Sequence, residues 1–125
     1  MEDELYKEII LHHYRNPRNK YVLRGADSMG KEVNMLCGDE ITVYANTDGN
    51  GIITAVSFTG EGCAISQAAA SMLTEYAKGK RVSELEQMVQ QDMERLLGIS
   101  LSTVRARCAM LAGKVFVRAV QLEIF

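Results

Sequence analysis

Two runs of alternating apolar and polar residues, joined by a cluster of turn-forming residues, are the feature that most constrains the fold of this chain. The first run starts at Asp39 and carries apolar residues at every second position up to Ala45. Residues 46–51 (Asn-Thr-Asp-Gly-Asn-Gly) form the turn cluster, and the second run covers residues 52–58. Such alternation is typical of half-buried strands, and a short glycine-rich connection favours an antiparallel hairpin. The second strand is predicted to have two faces, one with Ile52, Thr54, Val56 and Phe58 and the other with Ile53, Ala55 and Ser57.

Helices are predicted on both sides of this hairpin. Apolar residues recur at spacings of three and four over residues 3–14, and Pro17 prevents that helix from continuing. Residues 64–78 are rich in Ala, Ser, Met and Leu and stop before a glycine, which predicts a second helix. Residues 19–32 contain few apolar side chains, so we expect a loop or an irregular strand there.

The last third of the chain is predicted to be helical as well. Ser83 and Glu86 form a capping box that opens a short helix through Gln91, and residues 91–97 add a further turn or two. A final helix is predicted over residues 102–123, partly burying Val104, Cys108, Leu111, Val115, Ala119 and Leu122. Strands followed by helices predict an α+β fold, with helices packed on one face of a small antiparallel sheet of about three strands.

Length and composition limit the class of protein. With 125 residues, of which 47% are hydrophobic and 24% charged, residues 1–125 are expected to form a single globular domain. A net charge of −2 without a Lys/Arg-rich run argues against nucleic acid as a partner. The acidic start Met1-Glu2-Asp3-Glu4 differs from a signal peptide, and no apolar run approaches the roughly 20 residues that span a bilayer. We therefore expect a cytoplasmic protein with no membrane partner.

The three cysteines, Cys37, Cys63 and Cys108, have neighbours that suit a metal-bound thiolate. Glycines flank the first two and let the backbone turn there, while basic residues stand beside the third. An odd number of cysteines cannot pair completely within one chain, which disfavours a disulfide framework. Together with the carboxylate of Asp39, three thiolates would supply four donors for zinc or for an iron–sulfur cluster. The alternative is that scattered cysteines are simply small core residues.

Five short motifs stand out along the chain: Asn16-Pro17-Arg18-Asn19, Cys37-Gly38-Asp39, Gly60-Glu61-Gly62-Cys63-Ala64-Ile65-Ser66, Gly79-Lys80 and Arg107-Cys108-Ala109. They resemble those of the IscU/SufU/NifU N-terminal-type iron–sulfur cluster assembly scaffold family. Each motif alone is unspecific. Together they follow the family order and extend over nearly the whole chain, which makes the resemblance specific.

The resemblance implies an α+β fold of the SufE/NifU-like sandwich type and a site made by Cys37, Asp39, Cys63 and Cys108. That site would hold either a transient [2Fe–2S] cluster or Zn²⁺. Sulfur would arrive as a persulfide from a cysteine desulfurase, with Cys37 and Cys108 as the candidate acceptors. The cluster would then pass to apo iron–sulfur proteins or to carrier proteins. Asp39 suits a cluster that must leave, because a hard carboxylate oxygen binds a soft cluster less firmly than a fourth thiolate does.

Two departures concern the subgroups of this family. IscU-type members carry His immediately before the third cysteine and a Leu-Pro-Pro-Val-Lys motif for chaperone recognition, where this chain has Arg107 and a proline-free sequence at residues 101–105. Chaperone-driven hand-off of the cluster is therefore not expected. SufU-type members usually carry a long insertion between the second and third cysteines, which is missing here. The subgroup stays open.

Three functions fit the sequence. The first is a non-enzymatic scaffold that assembles a [2Fe–2S] cluster, and the second is a zinc-binding, SufU-like sulfur acceptor, or sulfurtransferase, that stimulates a cysteine desulfurase. The third is a small domain with a purely structural zinc site. His12 and His13 are predicted to be surface or partly buried positions rather than ligands, because adjacent residues on a helix point to different sides.

Overall fold

A computed structural model describes residues 2–34, 38–86, 90–97, 108–111, 113–115 and 118–119. In chain order, the elements are α1 (Glu2–Arg15), β1 (Ser28–Asn34), β2 (Asp39–Thr47), β3 (Ile53–Glu61), α2 (Ala64–Ala77), α3 (Val82–Glu86) and α4 (Gln90–Leu97). Residues 108–111, 113–115 and 118–119 are also helical. The predicted α+β fold, with helices and a three-stranded antiparallel sheet, is confirmed.

The sheet is a meander in the order β1-β2-β3, with β2 in the centre. β1 is a regular strand, paired with β2 from Ser28 opposite Ala45 to Asn34 opposite Asp39. The prediction of a loop or irregular strand over residues 19–32 was therefore wrong for the part that begins at Ser28. Residues 28–34 form a strand because they pair with β2, although their polar composition does not predict one. Gly30 lies against the C-terminal helix, where an added Cβ would come within 2.8 Å of the Ala119 backbone nitrogen.

The hairpin of β2 and β3 forms as predicted, and Asp48 organises its turn. The Asp48 carboxylate accepts hydrogen bonds from the backbone N–H groups of Asn50 at 2.8 Å and Ile52 at 3.0 Å. These bonds hold the carboxylate in its charged form and lower the pKa of Asp48. A local Asp side chain therefore closes the turn, as this residue often does.

The faces of β3 differ from the prediction. The register shifts between Asn46 and Thr47, so strict alternation does not extend to the start of β3. Ile53, predicted to lie opposite Val56 and Phe58, is fully buried with them in the core, while Thr54 is exposed. An irregularity of this kind inserts one residue without a partner and reverses the side chains that precede it.

The core lies between the sheet and the helices. The sheet contributes the inward side chains of Ile41, Val43, Val56 and Phe58, and α2 contributes Ala68, Ala69, Ala70 and Leu73. The three alanines are 0% exposed, and their small side chains let α2 approach the sheet closely. α1 packs on α2, and Ile10 of α1 joins the same core. The predicted helices over residues 3–14 and 64–78 agree with α1 and α2 to within one residue at each end.

The later helices agree in part with the prediction. α3 already begins at Val82, so Ser83 lies inside the helix and not at the N-cap that the capping box required. Of the residues predicted to be buried by the final helix, Cys108, Leu111, Val115 and Ala119 are buried, whereas Val104 and Leu122 lie outside the described residues. None of the described helices combines the length and apolar character needed to cross a membrane.

Candidate metal centre

The antiparallel pairing of β2 with β3 brings the first and second cysteine-containing motifs together. Glu40 pairs with Glu61, so the first residue of β2 lies beside the last residue of β3. Asp39 starts β2, and Cys63 follows β3 by two residues. The sheet therefore places Asp39 and Cys63, which are 24 residues apart in sequence, next to each other.

Asp39 and Cys63 are joined by direct contacts. Asp39 Oδ1 accepts a hydrogen bond from the Cys63 backbone N–H at 2.8 Å, and Asp39 Oδ2 lies 3.6 Å from Cys63 Sγ, within reach of a thiol donor. The Asp39 side chain is fully buried, whereas Cys63 is half-buried. Burial of a carboxylate is costly unless hydrogen bonds or opposite charges compensate for the lost water. The Cys63 backbone supplies one such bond.

Cys63 is also the N-cap of α2. Its backbone is extended, and its Sγ accepts a hydrogen bond from the N–H of Ser66 at 3.4 Å. This is the bond that the side-chain oxygen of Ser, Thr or Asp usually makes at a helix start. The start of α2 therefore holds the Cys63 sulfur in a fixed position beside Asp39.

Gly62 leaves the room that this arrangement needs. An added Cβ would overlap Asp39 Oδ1 and come within 2.9 Å of Ser66 Oγ. Any larger residue would push the Asp39 carboxylate away from the Cys63 backbone. The glycine before Cys63 thus has a steric role.

Cys108 completes the described cluster. One ligand atom from each of Asp39, Cys63 and Cys108 lies within 4.8 Å of the others. Cys108 is 5% exposed, so its sulfur faces the interior. Three residues from a strand, a helix N-terminus and the C-terminal helix therefore converge at one point.

The donor set fits a soft, tetrahedrally coordinated metal. Around zinc, with Zn–S bonds of about 2.3 Å and Zn–O bonds of about 2.1 Å, neighbouring donor atoms lie roughly 3.5–3.8 Å apart. Asp39 Oδ2 and Cys63 Sγ already have that spacing, at 3.6 Å. No ligand atom lies more than 4.8 Å from the others, so an approach of at most about 1 Å is needed, which side-chain rotation can supply. Thiolates select zinc or iron–sulfur clusters over magnesium or calcium. The residues present thus fit either group.

The fourth residue predicted for this site, Cys37, lies outside the described residues. Its neighbour Gly38 is described and has a φ of +68°, a conformation that favours glycine. The prediction that Gly38 lets the chain turn between Cys37 and Asp39 agrees with this backbone. The role of Cys37 stays a prediction.

From the sequence alone, no role was predicted for two further polar residues near this site, Ser66 and Gln67. Ser66 is fully buried and contacts Cys63, and its position three residues after an N-cap could have signalled this contact. Gln67 is 2% exposed, and neither polar atom of its amide has a hydrogen-bond partner within the described structure. No sequence pattern distinguishes a buried Gln of this kind from an exposed one on the same helix.

A separate polar cluster lies further along α2, where that helix packs on α1. His13 Nδ1 is 2.8 Å from Ser71 Oγ, which also accepts a hydrogen bond from the Arg18 backbone N–H at 2.8 Å. His13 Nε2 lies 3.8 Å from a carboxylate oxygen of Glu75. Burial lowers the pKa of His13; Glu75 raises it, and Arg18 and His12 lower it. As predicted, His12 is exposed and His13 is partly buried.

The fold is that of a recognised family. The model of the NifU-like N-terminal domain matches residues 5–122, and the chain belongs to that family. Among curated relatives, the zinc-dependent sulfurtransferase SufU of Bacillus subtilis is 37% identical, covering 97% of this chain and 92% of the relative. The iron-sulfur cluster assembly scaffold protein IscU 1 of Archaeoglobus fulgidus is 34% identical, covering 93% of this chain and 74% of the relative. The resemblance inferred from the motifs is thereby confirmed.

Solved structures agree with this assignment. A candidate iron-sulfur cluster assembly scaffold protein for the SUF system from Fervidobacterium islandicum superimposes with a TM-score of 0.77 at 27% identity, covering 90% of this chain and 94% of that one. A NifU-like N-terminal protein from Brucella abortus gives a TM-score of 0.78 at 22% identity, covering 98% and 96%. The second likeness concerns the fold alone. The relatives divide between zinc-dependent and cluster-assembling proteins, so the family does not choose between the two groups.

Proposed function

We propose that this protein is a scaffold for iron–sulfur cluster assembly that receives sulfur from a cysteine desulfurase. It holds a [2Fe–2S] cluster transiently on Cys37, Asp39, Cys63 and Cys108 and passes it to apo-proteins or carrier proteins. The observation that carries the proposal is the convergence of Asp39, Cys63 and Cys108, whose ligand atoms lie within 4.8 Å of one another. Chain connectivity adds Cys37, because two peptide units limit its distance from Asp39 to about 7 Å between Cα atoms.

Sulfur transfer needs a thiolate that can reach the persulfide of the desulfurase. The acceptor thiolate attacks the outer sulfur, a new S–S bond forms as the donor S–S bond breaks, and the desulfurase cysteine leaves as a thiolate. Reduction of the transferred sulfur to sulfide then takes two electrons from a thiol reductant. Of the two candidate acceptors, Cys108 is only 5% exposed, which favours Cys37 as the residue that meets the partner.

Asp39 has two roles in this proposal. Its carboxylate is the weakest donor to a soft cluster, so Asp39→Ala is expected to lengthen the lifetime of the bound cluster. It also accepts the Cys63 backbone N–H, which Asp39→Asn retains through its side-chain oxygen. Faster loss of the cluster from Asp39→Ala than from the wild type would contradict the first role.

The second candidate function is a zinc-dependent sulfur acceptor. It is supported by the 37% identity to the zinc-dependent sulfurtransferase SufU of Bacillus subtilis over almost the whole chain. Zinc would be held by the same residues and would supply a template that keeps the thiolates deprotonated and close together. In this function the protein raises the turnover of the desulfurase. A purely structural zinc site would leave that turnover unchanged.

One experiment separates the three functions. The purified protein is analysed for zinc and then reconstituted anaerobically with iron, cysteine and a cysteine desulfurase, while the visible spectrum and the desulfurase turnover are recorded. A chelator-labile chromophore with near-stoichiometric iron and sulfide supports the scaffold. Retained zinc, no chromophore and a clear rise in turnover support the sulfur acceptor, and retained zinc with no effect on turnover supports a structural site.

A matched pair of variants shows whether the described cysteine site is responsible. Cys63→Ala removes a proposed ligand at the start of α2, whereas Ser71→Ala removes a buried hydroxyl from the same helix at the α1 interface. Only Cys63→Ala is expected to lose the chromophore or the zinc. Equal loss in both variants would mean that the site had been disturbed through the helix and would contradict the proposed ligand role.

A further inference from the structure

Three close contacts join Ser66 to Cys63. Its backbone N–H donates to Cys63 Sγ at 3.4 Å, and its hydroxyl donates to the Cys63 carbonyl oxygen at 3.1 Å. The Ser66 Oγ atom also lies 3.7 Å from Cys63 Sγ. The residue is fully buried in the first turn of α2. In the contact between Oγ and Sγ, the Cys63 thiol donates and Ser66 Oγ accepts. A metal that displaces the thiol proton would turn the sulfur into a second acceptor for the hydroxyl, beside the Cys63 carbonyl.

The Ser66 hydroxyl is not needed to satisfy the Cys63 carbonyl. That carbonyl already accepts the regular helical bond from the Gln67 N–H at 3.1 Å. A buried hydroxyl that gives a second hydrogen bond to a satisfied acceptor can turn to another acceptor at little cost, because rotation about a single bond is enough. The sulfur of Cys63 lies within that rotation.

We propose that Ser66 is a positioning residue for the metal-bound sulfur of Cys63. Its backbone N–H fixes the direction of Sγ towards Asp39 and Cys108, and its hydroxyl turns from the Cys63 carbonyl to Sγ when the sulfur carries a metal. Both hydrogen bonds stabilise the negative charge that a metal-bound thiolate keeps. Gly62 permits this geometry, because a Cβ there would come within 2.9 Å of Ser66 Oγ. The inference rests on the metal site proposed above.

The test compares the affinity for Zn²⁺ and the spectrum of the Co²⁺ complex among variants of the full chain. Ser66→Ala removes the hydroxyl, and Ser71→Ala is the control, since Ser71 is an equally buried serine of α2 whose contacts are with His13 and Arg18. Competition with a chromophoric chelator should show Zn²⁺ binding about 10–100-fold weaker in Ser66→Ala, the usual effect of losing a residue that orients a metal ligand. Ser71→Ala should bind as tightly as the wild type.

The cobalt spectrum gives a readout that a purely structural role would not change. Loss of a hydrogen bond to a cobalt-bound thiolate raises the energy of the sulfur electrons, so the sulfur-to-cobalt charge-transfer band should move to longer wavelength in Ser66→Ala. Wild-type affinity and an unshifted band in Ser66→Ala would overturn the proposal. Equal weakening in Ser71→Ala would overturn it as well, because the effect would then belong to the helix as a whole.

A pair of isosteric variants keeps the proposal testable if Ser66→Ala fails to fold. Ser66→Thr and Ser66→Val have nearly the same shape and differ in the hydroxyl, so any crowding by the added carbon is common to both. The Thr variant should bind Zn²⁺ more tightly than the Val variant, and equal affinities would overturn the proposal. If the proposed metal site itself were wrong, the results would be different. The wild type would show no sulfur-to-cobalt band, and Cys63→Ala would bind the metal with wild-type affinity.

Discussion

Helix α2 carries two polar clusters that differ in how their charges and hydrogen bonds are balanced. At the α1 interface, the Ser71 hydroxyl lies between the Arg18 backbone N–H and His13 Nδ1, and Glu75 lies near the other ring nitrogen of His13. Each hydrogen-bond donor in this cluster faces an acceptor, so the cluster needs no ligand to balance its polar groups. At the start of the helix, by contrast, the groups that converge are a carboxylate and two thiols.

The difference supports the proposed metal site. Asp39, Cys63 and Cys108 would all carry negative charge if they were deprotonated, and like charges within 4.8 Å of one another repel strongly in a buried environment. A cation between them removes that repulsion, whereas nothing in the His13–Ser71 cluster calls for one. The polar groups at the α1 interface therefore balance one another, whereas those at the start of α2 would need a cation to do so.

The largest expected effect is the response to zinc. At free Zn²⁺ of about 1,000 times the dissociation constant, binding to the folded state alone should stabilise the protein by about 4 kcal/mol. Urea unfolding with and without a chelator measures this increment, which should be present in the wild type and in Ser71→Ala and absent in Cys63→Ala. If Cys63→Ala kept the full zinc-dependent gain in stability, Cys63 would not be a zinc ligand and the proposed difference between the two clusters would be wrong.

The second prediction concerns the space between Asp39 and Ser66. Gly62→Ala should destabilise the protein by about 1–3 kcal/mol, because its Cβ overlaps the Asp39 carboxylate and the surroundings must move. Gly49→Ala is the control, since an added Cβ there meets no atom within 4 Å. Thermal unfolding of both variants measures the difference. Equal stability of the two would mean that the site tolerates a side chain at position 62.

The third prediction separates the structural role of Asp39 from its role as a metal ligand. Without metal, Asp39→Ala should lose about 1–3 kcal/mol of stability, because the half-buried Cys63 N–H is left without its acceptor. Asp39→Asn retains an oxygen acceptor and should lose less. Chemical denaturation in the presence of a chelator compares the two, and a more stable Ala variant would show that the N–H finds another partner.

The fourth prediction concerns Gln67, which lies between the two clusters on α2. Neither polar atom of its buried amide has a hydrogen-bond partner in the described part of the chain. Gln67→Met keeps the length of the side chain and removes the desolvated amide, so it should stabilise the metal-free protein by about 1 kcal/mol. Urea unfolding measures the change. A loss of stability would indicate that the amide belongs to a hydrogen-bonded network.

The smallest expected effect is the pH dependence of the α1 interface. Because burial lowers the pKa of His13 below its ordinary value of 6.5, the unfolded chain takes up a proton more readily than the folded one. Stability should therefore be complete above pH 6.5 and fall as the pH drops below it, with a slope under about 1.4 kcal/mol per pH unit, the limit for one proton. Urea midpoints between pH 5 and 7.5 should show a shallower fall in His13→Asn, which lacks the titrating ring, than in the wild type.

His12→Asn is the matched control for this titration, because His12 is the exposed neighbour of His13 on the same helix. It should keep the wild-type pH profile. Parallel profiles for the wild type and His13→Asn would show that the buried ring does not contribute to the pH dependence, and the α1 interface would then be no more sensitive to protons than the surface.

Much of the architecture could be predicted from local sequence patterns. Alternation predicted the β2–β3 hairpin, helical spacing predicted α1, and composition with a terminating glycine predicted α2. These features depend on neighbours within about one turn or one strand, so their signal is present in a short window of the sequence. The ordered motifs identified the family over nearly the whole chain. The donor set of Asp39 and the cysteines was predicted from the residues beside each cysteine and from the family motifs, and its function as a ligand set stays a prediction.

Other features were decided by the tertiary structure alone. β1 is a strand because it pairs along β2, and Ile53 is in the core because the register shifts at Asn46 and Thr47. The contacts of Ser66 with Cys63, and the steric need for Gly62 beside Asp39, arise where the end of β3 meets the start of β2. The physical reason is the same in each case: the sequence by itself determines the periodicity of an element, whereas the partner that the element meets depends on contacts between residues far apart in the chain.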